Sequence, residues 1–283
     1  MGKQSVISKH FSRQKLVLYN CKFKEISLKH NILSRLLLAF LQSISIRAFP
    51  PVTPTSTNIL RYICKLMHAP VSHKLFRQQL WLSPHRCIFW EEQQALIVSD
   101  LHFGKTGHFR KSGIAVPQNV YKEDLQRLVS QLQYFQPKRL IVVGDLFHSR
   151  ENKELELFRK WRHDFPQLDI HLVKGNHDIL HDTWYQELGI HVTPEELQVQ
   201  DFCFRHDLEQ CTTQNNYLFS GHIHPGVRIR GAAKQSLSFP CFYFASNFCV
   251  LPAFSRFTGI ALVQPEDHEN VFAIVNNNIV QLQ

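Results

Sequence analysis

A chain of 283 residues with 44% hydrophobic side chains has apolar material for one large domain or two small ones, which excludes a largely disordered polymer. The formal charge of +9 is unevenly placed: residues 1–66 carry 11 Lys and Arg against one acid, Glu25, leaving 21 basic and 22 acidic residues over 67–283. That longer part is nearly neutral, so net charge alone is no argument for nucleic-acid binding.

Seven cysteines without a C-x-x-C spacing argue against a disulfide framework and a thiolate zinc site, and point to a reducing, cytoplasmic setting. The apolar run Leu36–Leu41 is interrupted by Gln42 and Ser43 and falls short of the roughly 20 residues that span a bilayer, so no membrane partner is expected. The charged stretch before it is too long for a secretory signal, whereas its basic, acid-poor character leaves a transit peptide open. Met67 is the second of two methionines, and the charge character changes there. The expected organisation is therefore a basic extension over 1–66, disordered or an over-extended reading frame, followed by a working domain over 67–283.

In chain order, residues 79–90 and 95–99 read as two strands joined by the polar Glu91–Gln94, the second ending on Asp100. A loop with Gly104, Gly107, Gly113 and Pro117 follows. Residues 118–135 place Val120, Leu125, Leu128, Val129, Leu132 and Phe135 at helical spacing, and Pro137 closes the segment. The short apolar run 139–143 has the character of a strand buried on both faces, and it stops at Gly144-Asp145. Residues 151–164 predict a surface helix, 170–173 a strand ending in Gly175-Asn176-His177-Asp178, and 179–188 a short helix. Beyond residue 190 strands dominate, at 198–205, 216–220, 226–231, 239–245, 247–251, 258–263 and 271–282. A parallel first half and an antiparallel second half imply two sheets packed face to face, with helices outside, as one domain.

Asp100/His102, Asp145, Asn176/His177 and His222/His224 each follow a strand, where the loops of open α/β sheets bring side chains together. Carboxylate, imidazole and amide donors suit Mn²⁺, Fe or Zn²⁺. An aspartate between two cations can hold them about 3.5–4 Å apart, where they activate water and screen a phosphate. Alone, each piece has a plainer meaning: Gly-Asp after a strand is commonly a turn, and Gly-Asn-His-Asp can be a left-handed turn. All four in this order, each behind its own strand, favour a two-metal site.

These residues resemble the calcineurin-like metallophosphoesterases, over roughly residues 78–264: Asp100-x-His102, Gly144-Asp145, Gly175-Asn-His-Asp178 and Gly221-His222-x-His224. Further stretches are similar to the bacterial ligase-associated DNA damage response endonucleases, among them Asp100–Lys105, His108–Gly113, Gly144–Arg150, His224–Arg230, Leu251–Phe254 and Phe257–Gly259. The resemblance implies an α/β fold of two packed mixed β-sheets flanked by helices, a four-layer αββα sandwich. It implies two divalent metal ions, Mn²⁺ first, with Fe or Zn as alternatives. Asp100, His102 and His224 would hold one ion, Asp145 would bridge, and Asn176 and His222 would hold the second. A further histidine is expected on the second ion; His206 is chosen over His181 and His191, although Asp207-Leu208 stands where the family tends to place Glu-Pro. His177 would protonate the leaving oxygen, with Asp178 orienting its ring.

Hydrolysis of a phosphate ester follows, with DNA as the substrate the branch implies, and a DNA ligase and a helicase-like protein as functional neighbours. Lys105, Arg110 and Lys111 after the first motif, and Arg228, Arg230 and Lys234 after the last, could place charge along a polynucleotide backbone. Phe103, Phe109 and Phe147 could stack on exposed bases. The plainer alternative makes those charges solvated and those aromatics core. A phosphatase or phosphodiesterase of small nucleotides and a non-enzymatic metal-binding module both stay open.

Overall fold

The structure is a computed structural model that describes residues 69–105, 113, 119–148, 153–208, 216–231 and 235–282. The extension expected at 1–66 lies outside them. The first sheet runs in sequence order: β1 Val71–Leu75, β2 Gln78–Ser83, β3 Cys87–Trp90, β4 Ala95–Ser99, β5 Arg139–Val143, β6 Asp169–Val173 and β7 Ile190–Thr193. Strands β1 to β4 pair antiparallel and β4 to β7 parallel. The segment expected as one strand at 79–90 is two. Arg86, at φ +67, donates its amide to the Ser83 carbonyl at 3.0 Å and turns the chain back after Pro84.

Three helices pack on one face of this sheet: α1 Asn119–Phe135, α2 Lys153–Asp164 and α3 Asp182–Glu187. Strand alternation sorts the core. Leu96, Val98, Leu140, Val142, Ile170 and Leu172 face Leu128, Leu132, Phe158, Trp161 and Tyr185 of the helices. Ile97, Ile141, Val143 and Val173 face the second sheet, where they meet Phe202, Phe204, Phe219, Phe242 and Phe272. No described helix is long and apolar enough to cross a membrane.

The second sheet holds β8 Glu196–Val199, β9 Phe202–Arg205, β10 Tyr217–Ser220, β11 Pro225–Arg230, β12 Ser236–Phe244, β13 Phe248–Val250, β14 Ala261–Leu262, β15 Asn270–Val275 and β16 Asn278–Gln281. Its outer face carries a small cluster of Val227, Cys241, Val271 and Ala273, and all three described helices lie on the other sheet. The runs expected at 198–205 and 271–282 are each split by left-handed residues, Gln200 in the first and Asn276-Asn277 in the second. The latter pair suits the mirror-image turn that joins a tight hairpin.

The second half is not antiparallel throughout. β10 lies between β9 and β13, parallel to both. Short β-branched and aromatic runs do not carry strand direction, so the pattern read from sequence could not show this. The consequence is functional: β9 and β10 end at one edge of their sheet, as β4, β5 and β6 do in theirs, which puts the segments following all five at the site.

Candidate metal centre

Asp100 follows β4, Asp145 follows β5, Asn176 to Asp178 follow β6, His206 follows β9, and His222 and His224 follow β10. Past the strand ends the backbone stays paired: Asp100 donates to the Gly144 carbonyl at 3.1 Å and His102 to that of Asp145 at 2.8 Å. The sheets are tied across the site, because the His222 amide donates to the Asp100 carboxylate at 3.1 Å, and within the second sheet the Gly221 amide donates to the His206 carbonyl at 3.2 Å.

Backbone strain concentrates here. Asp100, His102, Asp145, His222 and His224 all have φ between +49° and +64°. A non-glycine residue in this region is uncommon and costs free energy, so such residues persist where their surroundings over-determine them. Three motif glycines serve close approach, and Gly144 has a left-handed φ of +77 as well. A Cβ on Gly144 would stand 1.9 Å from His206 Nδ1, one on Gly175 2.2 Å from Asp145 Oδ1, and one on Gly221 2.6 Å from Asp100 Oδ2. They let neighbouring loops approach closely enough for the donors to meet.

The donors form two adjoining groups. In the first, His224 Nε2 is 3.3 Å from Asp100 Oδ1 and 3.5 Å from His102 Nε2, while His102 Nε2 is 3.9 Å from the same oxygen. In the second, His206 Nε2 is 3.2 Å from Asn176 Oδ1, 3.2 Å from His222 Nδ1 and 3.5 Å from Asp145 Oδ1. Asp145 lies between the groups, turning Oδ1 to His206 and Oδ2 to His102 Nδ1 at 3.7 Å. Asp100 is also within reach of both. Of the three histidines weighed for the additional ligand, His206 stands here. His181 caps α3 instead, and His191 lies 3.5 Å from Asp169.

The donor chemistry fits cations. His206 Nδ1 faces the Val143 carbonyl at 3.2 Å, and a carbonyl can only accept, so that nitrogen carries the proton and Nε2 presents its lone pair. That lone pair points among Asn176 Oδ1, Asp145 Oδ1 and Nδ1 of His222, so a cation placed between them would meet oxygen and imidazole donors from four residues. Metal-ligating histidines commonly donate their other nitrogen to a carbonyl in this way. Separations of 3.2–3.5 Å also match the edges of a coordination shell built on bonds of about 2.1 Å. In the first group, buried His102 Nδ1 makes no hydrogen bond.

Burial drives the His102 imidazole down to about 2, against the pull of Asp100, so it is neutral and able to ligate at neutral pH. Burial would also raise Asp100, but the hydrogen bond from His224 and the electrostatic pull of the imidazoles around it hold it below the usual carboxylate range. Asp145 is raised by burial, and divalent cations would reverse that shift.

His177 is half-buried at the rim, its amide donating to Asp145 Oδ1 at 2.9 Å. Asp178 acts on the turn instead of on the ring: its oxygens accept from the amides of Gly175 and Phe147, each at 3.0 Å, locking the β6 loop to the β5 loop. Burial pushes Asp178 up to about 7. A residue that the sequence reading missed, His148, lies with its ring centroid 4.2 Å from that of His177 and 5.4 Å from that of His102. It ends the Gly144-Asp-Leu-Phe-His148 segment, so its place beside a ligand motif was the available signal.

The expected substrate contacts divide. Lys105 is half-buried near Asp145 and Asp100, whose charges favour its ammonium while burial lowers its pKa. Arg228 and Arg230 are exposed on β11, on the face opposite Val227 and Ile229. Arg110, Lys111, Lys234 and Phe109 lie outside the described residues. Phe103 and Phe147 do not stack on a ligand: both are fully buried, bridged to each other, and packed against Tyr121, Phe158 and Trp184. An apolar ring directly behind a strand end gains more from that core than from solvent.

Residues 94–211 match the family described as Calcineurin-like phosphoesterase. Among solved structures, the chain is similar to the Pseudomonas putida nuclease MPE, with 27% identity and a TM-score of 0.63 over 72% of this chain and 96% of that one. A match to Yfce, a phosphoesterase from E. coli, has 14% identity and a TM-score of 0.36 over 66% and 97%, too weak to argue from. No curated protein matches. Residues 94–211, with Asp and His clusters at the strand ends inside and beside them, thus match a phosphoesterase family, hydrolases that use divalent metals.

Proposed function

We propose that this protein is a phosphodiesterase dependent on two divalent metal ions, Mn²⁺ first, and that it cuts DNA as an endonuclease in damage repair, working alongside a DNA ligase and a helicase-like protein. Its working domain is 67–283. The observation that carries the reading is the convergence on His206 Nε2 of Asn176, Asp145 and His222 within 3.5 Å, next to the Asp100, His102 and His224 group. The similarity to a nuclease supports a polynucleotide substrate.

Asp100, His102 and His224 would hold one ion, Asn176, His206 and His222 the other, with Asp145 between. Such ions supply a nucleophile near neutral pH and neutralise phosphate charge. His177, at the rim beside His148 and His102, donates a proton to the departing oxygen. Its position is fixed through the backbone, by Asp145 at its own amide and by Asp178 across the turn. Arg228 and Arg230 supply exposed positive charge for flanking phosphates, and Lys105 sits closer to the carboxylates.

The test is the full chain, stripped with EDTA and reloaded with Mn²⁺, offered plasmid, single-stranded oligonucleotide and nitrophenyl phosphate esters in parallel. Internal cleavage of DNA that vanishes in EDTA and returns with Mn²⁺ is the expected result. Hydrolysis confined to the small esters would replace DNA by a small-molecule substrate, and no hydrolysis of any ester would refute the enzyme reading.

A further inference from the structure

We infer that Arg86 and Arg127 are positioning residues for the metal centre, gripping the 253–255 loop that sets the backbone of Asp100. The inference rests on reading Asp100 as a metal ligand.

The contacts form a continuous chain. Asp100 is strained at φ +51, and its own amide is held by Gly144. The carbonyls on either side of that strained torsion are held from the other sheet: Phe254 donates its amide to the Ser99 carbonyl at 2.8 Å and Ser255 to the Asp100 carbonyl at 3.1 Å. The loop that makes these bonds is fixed in turn by two guanidiniums. Arg86 Nη1, from the β2–β3 turn, donates to the carbonyls of Ala253 at 3.0 Å and Ser255 at 2.7 Å. Arg127 Nη2, from α1, donates to the carbonyl of Phe254, and its Cζ lies 4.3 Å from the centre of the Phe254 ring. Three successive carbonyls of one loop are thus occupied by two cations from the first sheet and its helix layer.

Packing alone does not call for this. Ala253, Phe254 and Ser255 are buried and their carbonyls need donors, but neutral donors would satisfy them without taking a guanidinium charge out of water. Arg127 is itself buried, with Asp124 at 2.9 Å as its carboxylate partner. Taking such charges out of water costs several kcal/mol per ion before any partner is counted. What the arginines provide is directionality: a planar fork fixes the orientation of the carbonyls it meets, and hence of the amides on the opposite edge of the same peptides. Those amides face Ser99 and Asp100. An ordinary loop at this place would leave Asp100 free to relax from the left-handed region, which swings its carboxylate away from His224 and from the His222 amide.

The experiment uses the full chain with Arg86→Gln, Arg127→Met and Arg127→Lys. Mn²⁺ binding to the metal-stripped protein is followed calorimetrically, together with kcat as a function of Mn²⁺ and the thermal midpoint without metal. The expected result is at least tenfold weaker Mn²⁺ binding at one of two sites in Arg86→Gln and Arg127→Met, and a matching shift in the Mn²⁺ needed for half-maximal kcat. Activity returns to within twofold of wild type at saturating Mn²⁺, and Arg127→Lys lies between because an ammonium lacks the planar fork. Wild-type Mn²⁺ affinity in folded variants overturns the proposal, leaving the arginines as structural braces. If Arg127→Met does not fold, Arg86→Gln decides, since that side chain lies in the β2–β3 turn and is less buried than Arg127. A wild-type chain that binds no Mn²⁺ overturns it by a different route, together with the metal reading itself.

Discussion

Replacing Gly144 by Ala tests the claim that this glycine, besides its left-handed φ of +77, provides the close loop approach that brings His206 to the site. The added Cβ would stand 1.9 Å from His206 Nδ1, 2.3 Å from Cγ and 2.8 Å from Cβ. Because the clash reaches the His206 Cβ, no rotation of the ring clears it. Restoring an ordinary contact of about 3.5 Å requires a shift of roughly 1.5 Å, whereas a metal–nitrogen bond is about 2 Å long. His206 is therefore lost as a ligand. Outer-shell partners of ligating histidines change affinity by about 10–100-fold, so losing the ligand itself should weaken one ion by at least about a hundredfold, or roughly 2.8 kcal/mol. A left-handed alanine adds a folding cost of about 1 kcal/mol. Gly189→Ala is the control, because Gly189 has φ +61 but its nearest neighbour is Arg162 Nη2 at 3.5 Å, an ordinary contact. Calorimetric Mn²⁺ titration and thermal unfolding of both variants separate the effects: both lose about the same backbone term, and only Gly144→Ala loses one ion. Two ions bound by Gly144→Ala with wild-type affinity would refute the reasoning.

His177→Asn should lower turnover by at least about a hundredfold, in line with the usual worth of a general acid, while metal content by atomic absorption stays at the wild-type level; equal loss of both would remove the proton-donor role. Arg228→Ala and Arg230→Ala should each raise KM for oligonucleotide and reduce the slope of log affinity against log salt by about one, with nitrophenyl ester hydrolysis unaltered; an unchanged salt slope would place these side chains off the DNA path. Away from the site, burial would raise Asp169, but hydrogen bonds and charges from His171 and Arg139 hold it below the usual carboxylate range. A depressed folded pKa gives stability that is present above the unfolded value and lost as pH falls through the folded one. The thermal midpoint of wild type should therefore exceed that of Asp169→Asn from pH 7 down to about 4 and converge with it below. A constant gap down to pH 3 would show that the bonds matter without the charge.

The residues that meet at the candidate site were legible as a group because each sits directly behind a short apolar run, at places where β-branched and aromatic side chains give way to Asp, His and Asn. Strand positions near the site were legible for the same reason: Arg139–Val143 falls where expected, and α1 within a residue of it. Edge strands were not. Val71–Leu75 mixes His73 and Lys74 into its alternation, and Ile190–Thr193 is four residues long, so neither carries a clear apolar period. The turn inside 79–90 was hidden because Pro84 and Arg86 interrupt a run otherwise rich in strand formers. Direction in the second sheet depends on which strands meet across it. Local pattern is blind to such pairing, so the parallel β9–β10 pair that aligns His206 with His222 had to be seen. Phe103 and Phe147 were ambiguous for a related reason, since an aromatic beside a ligand motif looks the same whether it turns outward or in.

The donors come from both layers of the sandwich: Asp100, Asp145 and Asn176 from one, His206, His222 and His224 from the other. Ion loading at the proposed centre would therefore also be a cross-layer rivet at one rim of a phenylalanine-filled seam. Chelation should loosen the molecule there first, so that protease nicks and faster amide exchange in the stripped protein would begin after β9 and β10 and leave the opposite rim tight.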